Sequence, residues 1–215
     1  QEDFESWLSG KMEEVKGQRT TTGEYNIPVI FHIVHFGEEV GVGNNVSAEQ
    51  VASQLQVLNE DFRRMLGTPG YNTHVDGADI EIEFELAIKA PNGQCFSGIT
   101  RTSSPLTNSG ANGANQVSAI IAGNDVYNST WPGNKYLNIF VVNDADGAAG
   151  YTTNPSNNPL FGVNMRNGIW ILHDYVGSIG TSDTYSSRAL THEVGHWLNL
   201  EHLWGPNNNP GTSTS

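Results

Sequence analysis

The sequence predicts an α/β (α+β) fold, and three observations carry that prediction. Residues 26–36 are β-branched and apolar almost throughout, the pattern of a strand buried on both faces. Ser47 with Gln50 three positions on makes a capping box, after which Val51, Leu55, Leu58, Phe62 and Met65 recur at helical spacing and predict a long backing helix. Short strand patterns then follow, and a helix dense in chemically active residues ends the series.

Taken in order, the first 17 residues place Phe4, Trp7, Leu8, Met12 and Val15 on one helical stripe, predicting a short amphipathic helix ahead of the body. In the strand at 26–36, His32 and His35 read as core or rim histidines rather than ligands. Residues 79–88 alternate, with Ile80, Ile82, Phe84, Leu86 and Ile88 on one face and Asp79, Glu81, Glu83 and Glu85 on the other. That alternation predicts a half-buried strand whose acidic row faces solvent. Residues 102–115, rich in Ser, Asn and Gly, predict a loop, followed by a helix near Val117 to Tyr127. Tyr136 to Asn143 predicts another apolar strand. Asp144-Ala-Asp-Gly147 after it has the look of a calcium loop but lacks the remaining ligands of a hand-type site. Gly150 to Thr153 and Gly168 to His173 predict two further short strands. The end, residues 206–215, has a loop composition.

Composition narrows the class. A chain of 215 residues with 37% hydrophobic content can bury a substantial core in one domain. A formal charge of −13 with 10 Lys and Arg argues against nucleic acid and anionic membrane surfaces as partners, and suits a secreted protein with Ca2+ as a candidate second cation. No apolar run reaches membrane-spanning length. The sequence opens Gln1-Glu-Asp, without the basic and apolar segments of an export signal, so such a signal is expected to have been removed or to lie outside this sequence. Cys95 is the one cysteine. It reads as a buried thiol or as half of a disulfide to a segment outside the chain.

The chemistry is concentrated in Thr191-His-Glu-Val-Gly-His-Trp-Leu-Asn-Leu-Glu-His-Leu-Trp-Gly205. Residues at i and i+4 share a helix face, so His192 and His196 can bind one metal while Glu193 leans over the same ion as general base. A catalytic zinc takes three protein ligands and keeps a position open. His202 is the third candidate. It can turn back onto the His192/His196 face only if the helix ends between them, and Asn199 stands where that break is needed. Asn tolerates the left-handed conformation that ends helices, so Asn199 is expected at positive φ. No Asp follows Asp183, and Glu201 is the one Glu beyond Glu193, so a distant downstream carboxylate ligand has no candidate.

This extended motif resembles that of the metzincin zinc peptidases, which carry Gly where this chain has Asn199. It resembles the pappalysin branch in particular, including bacterial cytophagalysin-type members. Asn26 to His35, Gln56 to Arg64, Gly98 to Arg101, Lys135 to Val142 and Gly150-Tyr-Thr-Thr are similar to family blocks in the same order, spanning about residues 25–205. The resemblance implies a twisted, mostly parallel five-stranded sheet with an antiparallel edge strand at Gly150 to Thr153, a backing helix and an active-site helix. It implies three parts. Residues 1–24 are an amphipathic helix and linker, either a propeptide remnant or a docking helix, 25–205 the upper subdomain of a peptidase, and 206–215 a loop leading into a lower subdomain. Family members place a Met-bearing turn beneath the zinc, whereas Met12, Met65 and Met165 all precede His192, so that half is expected to lie outside this chain. The function implied is a secreted endopeptidase acting on proteins or peptides with Zn2+ on His192, His196 and His202. The alternatives are a zinc-binding module without activity and a zinc hydrolase acting on a non-peptide substrate.

Overall fold

The computed structural model describes residues 25–152 and 164–202, with residues 6, 9, 10 and 13 besides. These four are helical, while the stripe Phe4, Trp7, Leu8, Met12 and Val15 lies outside the described residues, as does 206–215. The elements run β1 (Tyr25–His35), α1 (Ala48–Phe62), β2 (Ile82–Leu86), β3 (Ile99–Ser103), α2 (Gly113–Gly123), β4 (Leu137–Val142), β5 (Gly150–Thr152), β6 (Gly168–Leu172) and α3 (Arg188–Trp197).

β1 organises the sheet. One edge pairs in parallel with β4, which pairs in parallel with β6, and β5 closes that side antiparallel to β6. The other edge is shared, since Tyr25 to Val29 pair with β2 and Phe31 to His35 pair with β3. Among the described residues the sheet therefore has six strands in five positions, where the resemblance implied five strands. The chain leaves the ladder after Leu86, makes a detour and re-enters at Gly98, whose φ is +77° and where a Cβ would lie 2.7 Å from Leu86 Cβ. Only glycine satisfies both constraints.

Alternation along β1 builds two cores. Val29, Phe31 and Ile33 pack with Val51, Leu58 and Phe62 of α1 and with Leu190 and Val194 of α3. Ile30 and Val34 face the opposite layer, with Val117 and Ile120 of α2 and Trp131, Phe140 and Trp170. α1 and α3 thus cover one face of the sheet and α2 the other.

Four expectations need correction. The strand at 79–88 is only five residues long, and Ile80 and Ile88 are 44% and 71% exposed. Asp79 Oδ1 accepts the Glu81 N–H and binds Arg63, and Glu81 stands at φ 59°, so a turn replaces the first third of the strand. The segment read as a loop holds the last two residues of β3 and two 3-10 turns, and α2 begins at Gly113 and ends at Gly123. It stops there because Asn124 Oδ1 accepts the N–H groups of Val126 and Tyr127. Cys95 is exposed, which removes the buried-thiol reading. In the capping box, Ser47 Oγ accepts the Gln50 N–H at 3.1 Å, but the Gln50 side chain does not return to Ser47. It donates instead to the carbonyls of His173 and Val176 and to Thr181 Oγ1. Gln54 donates to the Ser187 carbonyl and accepts the Gly177 N–H. The inward stripe of α1 thereby holds the loop that leads into α3.

Candidate metal centre

α3 is placed by its apolar side, Leu190 and Val194, which is buried against the sheet. Its end is a Schellman motif. Asn199 has φ 68°, its N–H donates to the His196 carbonyl at 2.8 Å, and the Leu200 N–H donates to the Gly195 carbonyl at 2.9 Å. This turn has a chemical result. It presents the Leu200 carbonyl to His196, whose Nδ1–H donates to it at 2.7 Å, leaving the Nε2 lone pair free to bind a cation.

The same turn brings His202 back. The three Nε2 atoms form a nearly regular triangle, with His192 to His196 at 3.0 Å, His196 to His202 at 3.1 Å and His192 to His202 at 3.2 Å. Three imidazole nitrogens on a tetrahedral zinc, at about 2.0–2.1 Å each, stand about 3.3 Å apart, so this donor set fits that ion. These three residues form the one His, Cys, Asp or Glu cluster of metal-binding geometry among the described residues. His192 has its pKa lowered, first by burial and then by the neighbouring His196 and His202. Each of these causes favours the neutral ring that a metal requires.

Glu193 is 9% exposed, and burial raises its carboxyl pKa against an opposing influence from His196. It lies next to the edge strand. A Cβ on Gly150 would come within 3.4 Å of Glu193 Cγ and 2.8 Å of the Trp170 carbonyl, so β5 can run this close only because residue 150 is glycine. A desolvated carboxyl group thus sits beside both the imidazole triad and β5, the outermost strand on that side among the described residues.

The other sequence candidates fall elsewhere. His32 and His35 are buried at or near the sheet interior, His32 between Thr100 and Asn138. Asp144 accepts the N–H groups of Gly110 and Gly147, so its carboxylate serves the turn. Sequence reasoning missed Asp61, which accepts the Thr191 hydroxyl at 2.7 Å and pairs with Arg188, next to the triad. The block Gln56 to Arg64 stood out as a unit, but no motif marked that one residue.

The peptidase M43 family model, described as pregnancy-associated plasma protein-A, matches residues 121–214. Extracellular metalloproteases of Colletotrichum graminicola and Verticillium alfalfae are each 28% identical to the chain, over 83% and 87% of its length. The chain spans 51% and 55% of those two proteins, about half of each. Among solved structures, mature mirolysin of Tannerella forsythia in complex with a cleaved peptide is 34% identical with a TM-score of 0.69, covering 90% of this chain and 70% of that one. A promirolysin point mutant from the same organism is 32% identical with a TM-score of 0.71, covering 98% and 69%.

Proposed function

Because the chain belongs to the pappalysin family of metalloproteases, we propose that it carries the metal centre of a secreted zinc-dependent endopeptidase, with His192, His196 and His202 as ligands and Glu193 as general base. The observation that carries this reading is the convergence of three Nε2 atoms within 3.0–3.2 Å beside a buried carboxylate. Zinc held by His192, His196 and His202 would supply Lewis acidity toward a scissile carbonyl and a nucleophilic water at neutral pH.

The chain's own groups do the rest. Glu193, with its proton affinity raised by burial, takes the proton of the attacking water and passes it to the departing amine. His196 keeps its tautomer through Leu200. β5, at the antiparallel edge of the sheet and beside Glu193, holds an extended peptide by main-chain hydrogen bonds. The peptide in the mature mirolysin complex supports a peptide substrate. Secretion is supported by the extracellular naming of both curated relatives. The wider span matched by the pro form supports reading residues 1–24 as propeptide.

The test is elemental analysis of the purified chain, with casein and peptide-library cleavage measured before and after a chelator. One zinc per chain with chelator-sensitive cleavage is expected. Glu193→Gln is expected to keep the zinc and lose cleavage by at least about a hundredfold. Zinc without cleavage at any substrate would favour a binding module, and parent-rate cleavage by the Gln variant would remove Glu193 as base.

A further inference from the structure

The triad is a local object. His192, His196 and His202 come from one stretch of eleven residues closed by the bonds around Asn199, so any roll of α3 about its axis carries all three imidazoles together. What a roll changes is their direction relative to β5, which belongs to the sheet. Turning a helix by about 20° moves a side-chain tip roughly 5–6 Å from the axis by about 2 Å. Misplacement of about 1 Å can cost a hundredfold in rate.

One residue is placed to prevent that roll. Asp61 lies near the end of α1 with its side chain 14% exposed. Its Oδ2 accepts the Thr191 hydroxyl at 2.7 Å and its Oδ1 takes the Arg188 guanidinium, which also lies 3.8 Å from Glu60 Oε2. Thr191 immediately precedes His192, and Arg188 is one helical turn before it. A single carboxylate on the backing helix thus grips α3 at two points of the turn from which the first ligand projects.

We propose that Asp61 is a positioning residue, which through Thr191 and Arg188 fixes the roll of α3 and so aims the metal centre at the edge strand β5. This rests on the zinc-peptidase reading above. Loss of the clasp leaves the triad intact and misdirects it. Zinc affinity should therefore survive while turnover per bound zinc falls.

The experiment compares wild type, Thr191→Val, Thr191→Ser and Asp61→Asn for zinc affinity against a chromophoric chelator, kcat per bound zinc, KM and amide hydrogen exchange across 188–192. Thr191→Val is expected to hold zinc within about threefold of wild type, with kcat per zinc down about tenfold or more, KM little changed and faster exchange in the first turn of α3. Thr191→Ser should restore all of these, and Asp61→Asn should fall between. Unchanged kcat per zinc in both Thr191→Val and Asp61→Asn, or a fall in zinc affinity alone, would overturn the proposal by making the clasp merely structural. A wild type without zinc or cleavage overturns the parent reading instead. In that event the exchange measurement still decides whether the clasp restrains α3, and unaltered exchange refutes it.

Discussion

At the scale of single residues, His32 is a neutral imidazole sealed inside the sheet. Asn138 donates its amide to the Trp131 carbonyl, which turns Oδ1 toward His32 at 3.0 Å from Nε2, so Nε2 carries the proton and donates. Nδ1 then accepts the Thr100 hydroxyl at 2.8 Å. Three neighbouring strands are tied by one ring. Burial lowers its pKa to about 4, with the Asn138 bond opposing. Below the ordinary value near 6.5 the unfolded chain takes up a proton that the native ring refuses, so this group costs stability as pH falls. The cost grows by about 1.4 kcal/mol per pH unit and levels off below about 4. Denaturant unfolding from pH 7 to 4 is expected to show a shallower acid loss in His32→Gln than in wild type. Parallel curves would show that His32 does not govern this limb.

At the scale of elements, the end of α3 is decided by a residue that is not glycine. Asn199 sits at φ 68°, a conformation that costs most L residues about 1 kcal/mol or more. Asn199→Ala is expected to lower stability by about 1 kcal/mol and Asn199→Gly to leave it unchanged or raise it slightly, as read by thermal melting. An alanine variant melting with wild type would show that the turn is not strained. The elements also differ in how far they could be read from sequence. α1 was legible because Ser47 and the spacing of Val51, Leu58 and Phe62 act within the helix itself. The three histidines and the break at Asn199 were legible for the same reason, since the spacing is local. β2 was overcalled because periodicity cannot register a side chain such as Asp79 capturing the backbone at Glu81. The start of α2 was missed because Gly113 to Gln116 carry no apolar signal. The clasp at Asp61 was invisible because it exists only where two helices distant in sequence meet.

At the scale of the whole molecule, a formal charge of −13 on 215 residues means self-repulsion that salt relieves. The melting temperature is expected to rise between about 20 and 200 mM NaCl as the Debye length shortens; a flat or falling response would show that paired charges outweigh the excess. The sheet has a different consequence, in time rather than in energy. Tyr25 pairs with Ile82, Phe31 with Ile99 and Val29 with Leu137, so the first strand made must wait for partners far along the chain. Parallel pairing of this kind closes long loops before it gains contacts, which places folding toward milliseconds to seconds. α3, almost the last segment described, packs against a surface those pairings create. During synthesis the triad sequence therefore emerges after every described strand, and the direction its imidazoles face depends on pairings made between segments upstream of it.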